Sequence, residues 1–108
     1  MKVKNILIGF VCVFAGNTYA GVTEGKPSVI FVHAFNDAVV FAMQSTNPSF
    51  ASCATSLRYA ISTSTQQGRN VLSAILAAKA AGQTIQVVGK NTCTANGDAE
   101  DINYIAVF

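Results

Sequence analysis

Residues 64–89, STQQGRNVLSAILAAKAAGQTIQVVG, contain a helix start, an amphipathic helix, a helix stop and a strand in succession. Ser64 is followed three residues later by Gln67, which is the spacing of a capping box. In that motif the hydroxyl accepts a free backbone N–H and the amide reaches back to the cap. Thr63 or Thr65 could provide the cap instead. This region therefore predicts the start of a helix, and the rest of the fold is predicted outward from it.

The end of this helix is marked as clearly as its start. Apolar residues recur at helical spacing, and Gly82 follows as a left-handed C-cap. The pattern predicts a helix over 65–81 that packs one apolar face on the rest of the domain. The residues predicted for that face are Val71, Leu72, Ile75 and Leu76.

Five apolar runs rich in Val, Ile, Phe and Tyr predict strands around the helix. The first two are separated by the turn residues Asn36 and Asp37 and together predict a β-hairpin. In the third run, Leu57, Tyr59 and Ile61 alternate with Arg, Ala and Ser, the pattern of a half-buried strand. The predicted strands are 28–35, 38–43, 57–62, 84–89 and 101–108.

The order of these elements, β-β-β-α-β-β, predicts a mainly β domain with one helix, in the α+β class. Five strands with one helix between the third and the fourth is the order of the OB-fold, a small Greek-key barrel, and we expect an OB-like barrel. An antiparallel sheet with one helix packed on it is the alternative. Residues 21–27 are polar and contain Gly and Pro, so they are predicted to form an arm before the first strand.

The N-terminus has the three parts of a secretory signal. Lys2 and Lys4 precede an apolar run over 6–15, and small residues at Thr18 and Ala20 occupy the positions that a signal peptidase recognises. The run is shorter than the roughly 20 residues of a membrane span. We expect residues 1–20 to be removed, leaving one domain over 21–108 that is secreted or periplasmic, with no membrane span.

The net charge and the cysteines further limit the ligands and the compartment expected for this protein. The chain has seven Lys and Arg, of which two lie in the predicted leader, so five remain against five Asp and Glu. A net charge of zero gives no electrostatic basis for binding nucleic acid. Cys12 lies in the leader, whereas Cys53 and Cys93 remain and are expected to form a disulfide in an oxidising compartment. A metal site or a redox pair is the alternative reading of these two cysteines.

The residues give little support for catalysis. The only histidine, His33, lies in an apolar run, and the common hydrolase, zinc-protease and phosphate-loop motifs are absent. We therefore expect no enzyme activity and no cofactor. Asp98, Glu100 and Asp101 form the one acidic cluster, but without the ligand spacing of a calcium loop. We therefore predict that these three residues form a solvated turn before the last strand, and we expect no metal site.

Part of the chain resembles a known family. Residues 70–88, NVLSAILAAKAAGQTIQVV, resemble the helix, Gly-Gln turn and following strand of the B subunits of A–B type bacterial toxins, above all those of subtilase cytotoxin and typhoid toxin. Residues 58–108 are also similar to small exported bacterial proteins without assigned function. The toxin resemblance implies a non-enzymatic homo-oligomer that recognises a host glycan. A monomeric periplasmic or envelope protein that binds or inhibits a protein partner is the alternative.

Ligand contacts are expected where donors, acceptors and stacking rings lie on or beside strands. Guanidinium groups and aromatic rings are typical of contact surfaces. The residues predicted to bind ligand are Arg58, Asp37, Asn103 and Tyr104.

Overall fold

The computed structural model describes residues 19–108, so residues 1–18 of the predicted leader lie outside the described part of the chain. The described residues form a mainly β structure with one helix, in the predicted order. Its elements are β1 (Val22–Val32), β2 (Ala38–Gln44), β3 (Tyr59–Ser62), α1 (Gln66–Ala81), β4 (Ile85–Gly89) and β5 (Glu100–Val107).

The five strands close in a ring in the order β1-β2-β3-β5-β4, with β4 pairing back to β1. Every neighbouring pair is antiparallel except β3 with β5, which run parallel. The parallel pair is short, because only Tyr59 with Glu100 and Ala60 with Asp101 are in register. Beyond these two pairs the edges of β3 and β5 are no longer hydrogen-bonded to each other.

The predicted arm over 21–27 is wrong, because most of it belongs to β1. Residues 22–25 pair with β4, and the second half of the strand pairs with β2, so this one strand closes the ring. Pro27 lies where the register with β2 shifts, as expected for a proline at a bulge. A Cβ at Gly25 would overlap the Gln44 carbonyl oxygen. Gly25 and Pro27 therefore mark a close approach and a bulge within a strand rather than a break before it.

The predicted helix and its glycine C-cap are confirmed, but the N-cap is the alternative Thr65 and not Ser64 of the capping box. Thr65, the third of the candidate caps, accepts the Gly68 N–H at 3.0 Å. Gly82 ends the helix in the left-handed conformation, with φ of 68°. The predicted apolar face is correct in part. Ile75 is buried with Ala78, and Val71 and Leu72 pack against the core.

Two leucines predicted to face the core are exposed. Leu76 is 47 % exposed, because the buried stripe of α1 continues through Ala78 instead. Leu57 is 63 % exposed and precedes β3. It has a positive φ of 57° and its N–H donates to the Ala54 carbonyl, so it closes a turn rather than starting a strand. The interior is built from α1 and the inward side chains of β2, β3 and β4, namely Phe41, Tyr59, Ile61, Ile75, Ala78, Ile85 and Val87.

The predicted disulfide is confirmed. Cys53 and Cys93 are bonded, with their Cα atoms 6.0 Å apart. The bond joins the loop after β2 to the loop between β4 and β5 and closes 40 residues of sequence, which in the chain-entropy model stabilises the fold by about 4 kcal/mol. Within residues 19–108, no helix has both the length and the apolar character needed to cross a bilayer.

Candidate functional site

An open groove of about 630 Å³ lies where β3 and β5 separate. The first turn of α1 forms one wall, and β5 with the preceding loop forms the other. The floor is partly apolar, with Val71 and Ile102 both half-buried. The groove is lined by Ala60, Ile61, Ser62, Thr65, Gln67, Gly68, Val71, Lys90, Thr92, Thr94, Ala95, Asp101, Ile102 and Asn103.

The helix wall is fixed by a close approach to β3. A Cβ at Gly68 would overlap the Ser62 carbonyl oxygen, so only glycine lets the first helical turn lie this near the end of the strand. Arg69 adds a second link, because its guanidinium donates to the Thr63 carbonyl at 2.8 Å. The groove therefore has a wall set by backbone packing rather than by mobile side chains.

The opposite wall is fixed by the Asp101 carboxylate. One oxygen accepts the hydroxyls of Thr92 and Thr94, both at 2.7 Å, and the Thr94 N–H at 2.9 Å. The other oxygen accepts the Ala95 N–H at 3.0 Å. Burial raises the pKa of Asp101, but these hydrogen bonds from Ala95, Thr92 and Thr94 outweigh it, so its pKa lies below the usual value. The ionised carboxylate holds the loop in place.

Glu100, the neighbour of Asp101, is a second carboxylate used for structure. Its side chain has no solvent exposure, and backbone N–H groups of three described residues donate to it. The Ala51 N–H donates to Oε1 at 2.7 Å, and the Asn91 N–H donates to Oε2 at 2.9 Å. The Gly21 N–H lies 3.2 Å from Oε1 and 2.9 Å from Oε2. One carboxylate thus connects the start of β1, the loop after β2 and the loop after β4.

These contacts overturn the prediction of a solvated acidic turn. Glu100 and Asp101 are buried, and only the Asp98 side chain is substantially exposed. In the described part of the chain no cluster of His, Cys, Asp or Glu is arranged to hold a metal ion. His33 is also not inside a strand as predicted. It follows β1, stacks on Phe35 with ring centroids 4.5 Å apart, and lies 3.1 Å from the Asn36 amide oxygen.

The buried hydroxyl of Tyr59 belongs to a polar network between β1, β3 and the loop after β2. It lies 2.8 Å from the Ser49 carbonyl oxygen and 2.9 Å from the Thr23 hydroxyl. Burial raises the pKa of Tyr59 to about 12; the Thr23 hydrogen bond opposes this, and the Glu100 charge adds to it. The phenol therefore stays neutral and structural.

The four predicted ligand residues are not brought into one site. Only Asn103 lines the groove. Arg58 stacks on Phe31 with its guanidinium carbon 4.7 Å from the ring centre, and lies 3.9 Å from Asp98. Asp37 is in the β1–β2 turn, where its carbonyl accepts from Thr63. Tyr104 is 53 % exposed and pairs with Val88 in β4. Within residues 19–108 no hydrogen bond, ion pair or ring contact connects any two of the four.

Of the three polar side chains that line the groove without a partner among the described residues, only Asn103 is predicted from the sequence to bind ligand. Gln67, Lys90 and Asn103 line it with exposed side chains that make no hydrogen bond or ion pair to the described residues. By contrast, the Thr65 hydroxyl is used in capping, and those of Thr92 and Thr94 hold Asp101. In the sequence, Gln67 is predicted only to be part of a capping box. No local pattern indicated that it would line the same groove as β5.

Comparison with known proteins gives no relative: no protein-family model, no curated protein sequence and no solved structure matches the chain.

Proposed function

We propose that this chain is an exported, non-enzymatic binding protein whose groove between α1 and β5 binds a glycan. The observation that carries the proposal is a group of three polar side chains beside a half-buried apolar floor. These side chains, which form no hydrogen bond or ion pair with the described residues, are Gln67, Lys90 and Asn103. Two amides and an ammonium can donate to sugar hydroxyls, and the amide oxygens can accept from them. The apolar floor gives the C–H face of a sugar ring a surface to pack on. A few polar groups around an apolar surface are typical of small-ligand sites.

The fold and the net charge together favour a glycan over a nucleic acid. The strand order, the parallel pairing of β3 with β5, and the position of α1 between β3 and β4 favour an OB-like barrel, a fold that binds oligonucleotides or oligosaccharides. Residues 19–108 carry five basic and five acidic residues, so they have no net charge to attract a polyanion. Of the two ligand classes, the neutral charge favours the sugar.

We further propose that the β1–β2 hairpin is a protein-contact surface and that a second copy of the chain covers it in a homo-oligomer. Large apolar side chains are exposed along this hairpin, up to 79 % at Phe35. Exposed apolar groups of this kind are typical of interaction sites. The resemblance to toxin B subunits agrees with self-association. The same surface favours the second candidate function, an envelope protein that binds or inhibits a different protein. The side chains concerned are Val29, Phe31, Val32 and Phe35.

The glycan proposal is tested with an array of neutral and acidic oligosaccharides, followed by affinity measurement on the strongest hit. Gln67→Ala should weaken binding about tenfold, the loss of one hydrogen bond to the ligand. Gln66→Ala is the matched control, because the neighbouring Gln66 bonds Asn70 along the helix and does not line the groove. Equal effects of the two substitutions on glycan affinity would show that the groove is not the glycan-binding site.

Native mass spectrometry tests the oligomer. A defined oligomer that Phe35→Ser converts to monomer supports self-association through the hairpin. A strict monomer that binds no glycan on the array would favour the envelope-protein function instead.

A further inference from the structure

The Glu100 carboxylate has a feature that its hydrogen bonds leave unexplained. It is a fully buried charge-bearing group, yet no cationic side chain of residues 19–108 forms an ion pair with it. Among residues 19–108 the only ion pair is Arg58 with Asp98. A carboxylate taken out of water without a counter-charge is costly, even when backbone N–H groups surround it.

One of those backbone donors is placed at a special position in the sequence. The Gly21 nitrogen lies 2.9 Å and 3.2 Å from the two carboxylate oxygens and is itself buried. The residue before it, Ala20, is the last residue of the predicted leader. Tyr19 is 73 % exposed, so the chain reaches the surface within two residues of the buried nitrogen.

We infer that removal of the leader after Ala20 creates the missing counter-charge, so that the α-ammonium group of Gly21 forms a buried ion pair with Glu100. A signal peptidase adds water across the Ala20–Gly21 peptide bond. The carboxylate stays on the leader, and the new amine takes up a proton. The nitrogen that donated one N–H to the two Glu100 oxygens becomes a cation with three N–H donors at the same place.

The space around the Gly21 nitrogen allows this ion pair only when cleavage follows Ala20. A Cβ on residue 21 would overlap the Ser49 carbonyl oxygen and lie 2.7 Å from Glu100 Oε1. A Cβ on Gly89 would overlap the carboxylate from the other side. Glycine at position 21 therefore lets the nitrogen approach the carboxylate, and cleavage one residue earlier or later would put the charge elsewhere. Processing and folding are coupled through this pair.

The test compares two chains that differ only in where the charge lies. The full chain is exported and processed by its host, in its native form and with one alanine inserted between Ala20 and Gly21. After cleavage the chain with the insertion begins with the extra alanine, which lies where Ala20 lies in this structure. The Gly21 nitrogen is then an amide that keeps its hydrogen bonds to Glu100, and the α-ammonium group lies one residue further out. Intact mass establishes the first residue of each chain.

Denaturant unfolding should show an equilibrium constant for unfolding about tenfold larger for the extended chain. In a Glu100→Gln background the difference should disappear. Values within twofold of each other in the native background would overturn the inference, as would an intact mass showing that the native chain starts anywhere but Gly21.

A second measurement does not depend on the Glu100→Gln variant folding. An aldehyde reagent selective for α-amines should label the folded native chain at least about tenfold more slowly than the unfolded chain, because the buried amine is protected by the ion pair. The extended chain should be labelled at the same rate folded or unfolded. Equal rates for the folded and unfolded native chain would show that the α-amine is free and would overturn the pair.

Discussion

Glu100→Gln is the substitution for which the structure predicts a large loss of folding stability with almost no change in side-chain shape. The two side chains have nearly the same size, but the glutamine amide offers one acceptor where the carboxylate offers two. Oε1 accepts from Ala51 and Oε2 accepts from Asn91, with Gly21 shared between them. In either orientation the new NH₂ group faces a backbone N–H, which leaves a buried donor unpaired.

The expected cost follows from these contacts. A buried unpaired donor costs about 1–3 kcal/mol, and a hydrogen bond to a charged group contributes about 1.5–3 kcal/mol. Glu100→Gln should therefore lower the free energy of unfolding by about 3–5 kcal/mol. Asp98→Asn is the matched control, since that side chain is half exposed and 3.9 Å from Arg58, and it should cost less than about 1 kcal/mol.

Urea unfolding followed by far-ultraviolet circular dichroism measures both variants. A loss below about 1 kcal/mol for Glu100→Gln, with an unchanged denaturant slope, would mean that the carboxylate does not hold the three segments together.

Three further outcomes follow from the packing. Ile75→Ala, at a fully buried position, should cost about 2–5 kcal/mol in urea unfolding, whereas Leu76→Ala should cost less than about 1 kcal/mol; equal values would contradict the helix orientation. Replacing Cys53 and Cys93 together by serine should cost about 2–4 kcal/mol, and alkylation of the native protein should label neither thiol until a reductant is added. Stability should fall by about 2 kcal/mol between pH 10 and pH 12, because the Tyr59 phenol ionises near pH 10 when unfolded but only near pH 12 when folded, so the unfolded state binds fewer protons over that window. A Tyr59→Phe variant that shows the same fall would assign it to other groups.

The elements that could be predicted from sequence are those whose determinants are local. The helix over 66–81 has its caps and its apolar spacing within a single stretch, and the disulfide follows from there being only two cysteines after the predicted leader. The β1–β2 hairpin follows from two apolar runs around Asn36 and Asp37. In each case neighbouring residues carry the information.

What could not be predicted depends on contacts between distant segments. Gly25 and Pro27 resemble a loop locally, but β4 and β2 pair with that segment and make it a strand. Glu100 lies in a polar run, and its burial depends on N–H groups from Gly21 and Ala51, which are 79 and 49 residues away. The same holds for the candidate site. Of the four residues predicted to bind ligand only Asn103 lines the groove, because the sequence does not show which loops meet.

The most direct test of the proposed function is a two-dimensional ¹⁵N–¹H NMR titration of the mature chain with the strongest oligosaccharide from the array. The account predicts saturable chemical-shift changes on both walls of the groove, at the amides of Ser62, Gly68, Thr92 and Asn103. In the Gln67→Ala variant the same changes should require a higher oligosaccharide concentration. An array without any sugar hit, or shifts confined to the β1–β2 hairpin, would contradict glycan binding in the groove.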